Sequence, residues 1–369
     1  MARLEVEGLC KGWEFPVIDE LSFAVDEGEF FVIVGASGIG KTTLLRLVSG
    51  LETPDAGRVI VGGRDLTRIP PYRRNIAMTF ESYALYPHLT VYENIASPLR
   101  ARRLSRDELD RRVHATARLL KIDHLLARRP GEVSGGQKQR TALGRTLVAD
   151  PEVFLLDEPI SHLDAKIRHE LRTQFHALED LRKVATVYVT HDYAEALSLG
   201  DRIGVMGRGG KLEQIGAPRD LFERPHNLTV AEHLGQPTIN VIDVHVVTEN
   251  DTLHLQADPG TLRLPVPETA RPLIVTLKQN RLKLGLRPQF LCPVETDTPH
   301  PVTLRAEVDI YEPLGTMGIM LVQSEGVRLT AITDPEMSYH AGDAVTLALD
   351  LDRIFYFDAE TGRNLAVHD

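Results

Sequence analysis

Cysteine is almost missing from this chain, with 2 in 369 residues. Cys10 and Cys292 stand far apart and share no metal-ligand spacing, which argues against a disulfide framework and favours a reducing compartment. Long apolar runs are missing too. None approaches the roughly 18 residues that a membrane span needs, and no charged-then-apolar leader opens the chain. The sequence therefore reads as a soluble protein that serves a membrane, if it serves one, through partners. Basic excess is absent as well. The net charge is −10, and residues 236–369 hold 10 Lys and Arg against 19 Asp and Glu. Such an acidic tail argues against nucleic acid as its ligand, since phosphate backbones select the opposite sign. No low-complexity tract or internal repeat appears. What is present is ordinary globular composition, 43% hydrophobic and 25% charged, enough for two or three compact units at this length.

Residues 29–34 (EFFVIV) form a short apolar run stopped by Gly35, read as a buried strand. Lys41–Ser49 (KTTLLRLVS) follows with helical spacing and meets a C-cap signal in Gly50. Further buried strands are expected at 153–156 and Ala185–Thr190, with a helix over 163–182 between them. Strands alternating with helices imply a parallel sheet covered on both faces. A helical insert precedes the second strand. There Ser105-Arg106-Asp107-Glu108 fits a capping box, and Leu109, Val113, Ala117 and Leu120 form one apolar stripe opposite a solvated face of Arg111, Arg112 and Arg118. After about residue 235 the texture changes. Prolines cluster at 259, 265, 267 and 272, and short alternating runs such as TLRL (261–264) and AVTLALDL (344–351) replace helical periodicity. That pattern predicts an all-β segment, a small barrel of the oligomer-binding type.

Residues 35–42 read Gly-Ala-Ser-Gly-Ile-Gly-Lys-Thr and match G-x-x-x-x-G-K-[ST] in the strand–loop–helix context that the motif requires. Gly35, Gly38 and Gly40, with Ser37 among them, turn backbone N–H groups inward as an anion nest, and the helix dipole adds positive potential. Lys41 is expected to reach the β- and γ-phosphates, the Thr42 hydroxyl to hold Mg²⁺, and Thr43 to donate to a phosphate oxygen. VFLLDE (153–158) ends in two carboxylates at a strand's C-terminal end, where open α/β sheets bind ligands. Asp157 suits a water-mediated Mg²⁺ contact, and Glu158 suits polarising the attacking water as a general base. His191, in VTHD after the third strand, suits a contact to the γ-phosphate. Residues 133–140 read VSGGQKQR. The phosphate loop has no need of this Ser-Gly-Gly-Gln turn for itself. Together the two point to an ATPase that works as a dimer, one chain closing over the other's nucleotide.

Trp13, GASGIGKT (35–42), ESYALYPHLTVYENI (81–95), VSGGQKQR, VFLLDEPISHLD (153–164) and VTHDYAEAL (189–197) follow one another in an order that resembles the ATP-binding-cassette ATPases. YALYPHLTVYENI, DEPISHLDAKIR, LGLRPQF (284–290) and EPLGTMG (312–318) are closer still to the carbohydrate-importer subgroup, the ATPases of maltose-type and glycerol-phosphate-type uptake systems. The resemblance covers essentially the whole chain. It implies an α/β P-loop NTPase core of the RecA-like kind over 1–235, with a helical subdomain at about 88–150, then an all-β OB-type (TOBE-like) unit over 236–369 for dimer contacts and regulation. Trp13 would stack on adenine. Ser134, Gly135, Gly136 and Gln137 would cap the γ-phosphate bound to the opposite subunit, and Asp164 would lie at the dimer seam. The helical insert and residues 82–91 would receive a short cytoplasmic helix from one of two integral-membrane permease subunits.

The implied activity is ATP hydrolysis at the cytoplasmic face of the cell membrane. It would energise uptake of a sugar, polyol or glycerol-phosphate delivered by an extracytoplasmic solute-binding protein. A polyamine or inorganic-ion importer shares this architecture and stays open, as does a low-turnover ATP-binding partner in a heterodimeric pair. A soluble cassette acting on DNA or ribosomes is disfavoured, because the stretch between Lys41 and Ser134 leaves no room for a long coiled coil. One residue departs from the family pattern: Glu81 stands where glutamine is usual before SYALYP. A carboxylate about 6 Å from a phosphate charge costs roughly 2–3 kcal/mol at an effective dielectric of about 20. Direct Mg²⁺ ligation could offset that. His162 in SHLD is a smaller departure.

Overall fold

Phe30–Val34 is apolar and buried at every position, as a strand covered on both faces must be. In the computed structural model, which describes residues 3–102, 104–177, 183–250, 252–277, 280–294 and 302–367, it lies inside a six-stranded sheet. The order is Leu212–Gly216, Arg202–Met206, Phe30–Val34, Ala185–Thr190, Val153–Asp157, Ile76–Met78. All neighbours run parallel except the first pair. The strand expected at 153–156 runs on to Asp157. The helix expected at 163–182 is present as Ala165–Ala177, and residues 178–182 lie outside the described residues.

A second sheet has no counterpart in the sequence reading. Pro16–Val25, Leu4–Gly12, Ala56–Val61 and Arg64–Asp65 form an antiparallel sheet in that order. Leu4, Val6, Leu9, Ile18, Leu21, Phe23 and Val25 share one core with Phe31 and Ile33 of the parallel sheet and with Leu44 and Leu47 of the phosphate-loop helix. The pairing shifts register between Val6 and Leu9, so the apolar positions lose the strict period of two that marks a strand. Gly57 sits at the crossing. Its φ is +89, and a Cβ there would stand 2.3 Å from the Gly8 carbonyl oxygen.

Between Ile76–Met78 and Val153–Asp157 the chain leaves the sheet for Val91–Ala96, Arg106–Leu119 and Gly135–Leu147. Val113, Ala117 and Leu120 are fully buried, and Arg111 and Arg118 on the other face are exposed. The capping box expected at Ser105 is only half formed. Ser105 Oγ accepts from the Glu108 amide at 3.2 Å, but the Glu108 carboxylate turns away to Arg111 and to Arg112, the latter at 2.7 Å. Two guanidinium donors hold an ionised carboxylate better than one neutral N–H does.

Helices give way to strands near residue 235, yet contacts divide the chain into two compact units between Arg219 and Asp220. Residues 220–239 are tied to the second unit by polar anchors. Arg287, almost fully buried, donates to the carbonyls of Phe222 (2.8 Å) and Leu234, with its guanidinium 3.7 Å from the Phe222 ring centroid. Asn364 Nδ2 donates to the Pro225 carbonyl at 2.8 Å. The second unit holds two antiparallel five-stranded sheets around one core that includes Leu255, Leu284, Met320, Leu329 and Leu347. Beside the two short helices Leu228–His233 and Arg271–Val275, these strands make the β-rich unit that the alternating runs predict.

Candidate nucleotide site

The phosphate loop leaves the end of Phe30–Val34 and enters the helix Lys41–Ser49 through Gly40, whose φ is 115. Gly50 closes the same helix with φ 81. Two glycines in the loop are sterically required. A Cβ on Gly35 would lie 2.7 Å from the Met206 carbonyl oxygen, and one on Gly40 would lie 2.9 Å from that of Val17. Ser37 and Gly38 sit exposed at the mouth of the loop.

Lys41 is 5% exposed. Its ammonium donates to the carbonyls of Gly35 and Ala36 at 2.8 and 3.0 Å and stands 3.9 Å from Glu158 Oε1. Burial pulls its pKa down, while Glu158, Asp157 and Glu81 push it back up. Thr42 Oγ1 donates to Asp157 Oδ1 at 3.2 Å, and Thr43 follows half-buried on the same turn. Asp157 is 2% exposed, its amide donates to Thr79 Oγ1 at 2.8 Å, and its Oδ2 has no hydrogen-bond partner. Glu158 Oε1 lies 3.0 Å from His191 Nδ1. Lys41, Thr42, Asp157, Glu158 and His191 thus converge at the carboxyl ends of three adjacent parallel strands. The exposed Glu81 joins them electrostatically, through its charge on Lys41 and Asp157.

Burial, with the neighbouring Glu81 and Glu158 charges, raises the Asp157 carboxyl from 3.8 to about 6. That rise corresponds to about 3 kcal/mol. Below about pH 3 the group is neutral in folded and unfolded chains alike. As pH climbs through the interval up to 6, the unfolded chain loses the proton first, so nucleotide-free stability falls and stays reduced above it. Asp157→Asn removes that cost. In nucleotide-free urea denaturation its stabilising effect should grow from about 0.5 kcal/mol at pH 4 to about 3 kcal/mol at pH 7. A difference independent of pH would contradict the assignment.

Other expected residues lie apart from this cluster. Ser134 caps the helix Gly135–Leu147 in a complete capping box, its Oγ accepting from the Gln137 amide and Gln137 Oε1 accepting from the Ser134 amide at 2.9 Å. Ser134 and Gly135 are exposed, and Gly136 and Gln137 are half-exposed. Asp164, also exposed, caps the next helix through the Ile167 amide at 2.9 Å. Trp13 is 59% exposed. Lys11 Nζ lies over its ring, 5.4 Å from the centroid, and the same ammonium bonds Asp55 at 2.9 Å.

Three supporting groups were not legible in the sequence. Thr79 holds the Asp157 backbone. Glu195, 1% exposed, accepts from the hydroxyls of Tyr188 (2.7 Å) and Thr190 (2.8 Å) beneath His191, and burial raises its pKa. Gln139 donates to the Glu158 carbonyl at 3.1 Å. Only the glutamine carried a usable signal, since it sits inside VSGGQKQR.

Residues 18–161 match the family model described as ABC transporter. The trehalose/maltose import ATP-binding protein MalK of Thermococcus litoralis is 40% identical over 361 residues, 95% of each chain. The sn-glycerol-3-phosphate import ATP-binding protein UgpC of Ruegeria pomeroyi is 40% identical over 369 residues, 99% of this chain and 100% of that one. The xylose/arabinose import ATP-binding protein XacK of Haloferax volcanii is 40% identical over 98% of this chain and 95% of its own. Among solved structures, the dimeric ATP-binding cassette MJ0796, in a post-hydrolysis state bound to ADP and Pi, superposes with a TM-score of 0.54 at 27% identity. It covers 58% of this chain and 98% of its own. A phosphate-loop sheet and a capped Ser-Gly-Gly-Gln helix followed by a β-rich unit, with 40% identity to import ATP-binding proteins over nearly the whole chain, place the chain in one family: it belongs to the ABC transporters, as an ATPase subunit of the import type.

Proposed function

We propose that two copies of this chain clamp two ATP molecules and drive a membrane permease for a sugar, polyol or glycerol-phosphate. The observation that carries the reading is a division of labour. Lys41, Thr42, Asp157, Glu158 and His191 cluster at the strand ends, while residues 134–137 form a separate capped turn open to solvent. In this reading the loop of one chain binds the triphosphate, and the cap and Asp164 of the other chain close over it. Differential affinity of the closed and open pair for ATP supplies the work. Trp13 offers an exposed indole face for adenine, backed by Lys11. Permease helices dock on the helical insert and on residues 82–91. No helix among the described residues is long and apolar enough to cross a membrane. The proposed site of action is the cytoplasmic membrane face, reached through those permease subunits. Solute arrives from an extracytoplasmic binding protein.

Glu158 is assigned as the base that takes a proton from the attacking water. His191, in contact with its carboxylate, is assigned to orient it and to touch the γ-phosphate. A divalent ion fits beside them. Among the described residues no three His, Cys, Asp or Glu side chains form a metal centre by themselves. Thr42 and Asp157 nevertheless offer hard oxygen donors, including the unpartnered Asp157 Oδ2, and phosphate oxygens would complete the shell. Mg²⁺ held by Thr42, Asp157 and Glu81 would neutralise phosphate charge. Because Glu81 adds an anionic donor where a neutral amide is usual, Glu81→Gln should weaken divalent binding by about 1 kcal/mol, roughly fivefold. Mn²⁺ titration in the presence of a non-hydrolysable ATP analogue measures this apart from turnover. An unchanged Mn²⁺ affinity would remove Glu81 from the metal shell.

The transport reading is tested by co-purification and reconstitution. The chain should bring down two permease subunits and no second ATPase. ATP hydrolysis in proteoliposomes should rise when the binding protein is loaded from a panel of sugars, polyols and glycerol-3-phosphate. Stimulation only by spermidine or sulfate would overturn the substrate class, and a second ATPase in the complex would overturn the homodimer.

A further inference from the structure

Glu158 occupies the left-handed backbone region, with φ 43, immediately before Pro159. Few residues with a side chain adopt that conformation, and a following proline restricts the choice further. Four hydrogen bonds hold it. The Glu158 amide donates to the Val189 carbonyl at 3.1 Å. Its own carbonyl accepts from the Ser161 amide at 3.4 Å, from Ser161 Oγ at 3.0 Å and from Gln139 Nε2 at 3.1 Å. Gln139 is 4% exposed, and its Oε1 has no partner. Leaving the oxygen of a buried amide without a partner costs free energy, which the bond at its donating end must help to offset. Here the donating end fixes the peptide plane from which the Glu158 side chain springs.

Gln139 stands on the helix Gly135–Leu147, five residues beyond the capping Ser134. Hydrogen-bonded helical backbone makes the exposed cap and this buried amide one stiff piece. We infer that Gln139 is a positioning residue that couples the two nucleotide sites of a dimer. It transmits engagement of the cap at residues 134–137 to the backbone of Glu158 in the same chain. The inference rests on the shared-nucleotide reading above, in which the cap serves the partner's ATP and Glu158 serves its own. Closure over one nucleotide would shift the helix, reset the Glu158 carbonyl and bring its carboxylate into line for the other. Ser161 contributes the same kind of bond to the same carbonyl but lies off this helix, so it positions without coupling.

Gln139→Leu keeps the side-chain bulk and removes the donor, and Ser161→Ala removes the other side-chain donor. Both are made in the full chain assembled with its permease, and initial rates are followed against ATP concentration. Nucleotide affinity is read from the fluorescence of Trp13, the single tryptophan. Both variants should lose tenfold or more in kcat, with ATP affinity within twofold of the parent. Only Gln139→Leu should bring the Hill coefficient down towards one. A Gln139→Leu protein with parental kcat and Hill coefficient would overturn the inference. So would a loss matched by equal losses in thermal stability and ATP affinity, which would leave Gln139 a packing residue. A Hill coefficient of one in the parent, or an equal fall in Ser161→Ala, would overturn the coupling. If Glu158→Gln retains full turnover, the underlying assignment fails instead, whatever Gln139 does.

Discussion

Replacing Glu158 with glutamine will stop ATP turnover while leaving ATP bound. General-base catalysis is worth typically about 10²–10⁴ in rate, and the amide keeps the shape of the carboxylate while losing its ability to take a proton. The loss should fall almost wholly on kcat. Glu158 Oε1 is 3.9 Å from Lys41 Nζ and 3.0 Å from His191 Nδ1, so removing its charge also relieves competition for the lysine proposed to hold the phosphates. ATP affinity should therefore hold or improve. Nucleotide-bound dimer should accumulate, since closure proceeds and hydrolysis no longer reopens it. Steady-state ATPase rates and light scattering with and without ATP check both halves. A rate within tenfold of the parent would move the base elsewhere.

Lys41→Ala will act earlier, on binding itself. The ammonium is held in place before any nucleotide arrives by the carbonyls of Gly35 and Ala36. Its desolvation is already met in the fold and need not be met again when phosphate enters. Hydrogen bonds to charged groups contribute about 1.5–3 kcal/mol each, and a lysine that bridges two phosphates makes two. Loss of about 3 kcal/mol or more corresponds to roughly a hundredfold rise in Kd. Trp13 fluorescence or calorimetric titration measures it. A parallel thermal melt separates lost affinity from lost fold, and the melting temperature should move little. An affinity within tenfold of the parent would mean that the backbone nest, and not the lysine, carries the phosphate.

Much of the candidate site is legible in the sequence itself. Lys41–Ser49 begins and ends where the sequence says it should, because a left-handed glycine at each end is a local requirement. The buried strand ahead of Gly35 and the one that ends in Asp157 were visible as unbroken apolar runs, which a doubly covered strand must have. Less was legible where contacts between distant segments decide the outcome. The first antiparallel sheet escaped notice because its register shift near Gly8 breaks the alternation. The Ser105 box looked complete because nothing in four residues shows that Arg111 and Arg112 will claim the glutamate. The change of texture near 235 marks where strands begin. The contact boundary after Arg219 depends on the buried Arg287 and on Asn364, both far along the chain.

The sequence alone determined the chemistry available to this protein: a glycine-rich loop, a lysine, hydroxyl and carboxylate oxygens, a histidine, and a separate Ser-Gly-Gly-Gln turn. These are properties of residue types at short spacings, and short spacings survive in any fold that keeps the local backbone. The tertiary structure alone decided how those groups behave. Burial against the sheet lifts the Asp157 carboxyl to about 6, solvent reaches the Trp13 face, and the Gln139 amide meets the Glu158 carbonyl across 19 positions. Desolvation and long-range contact depend on what surrounds a side chain in space, and no local pattern carries that information.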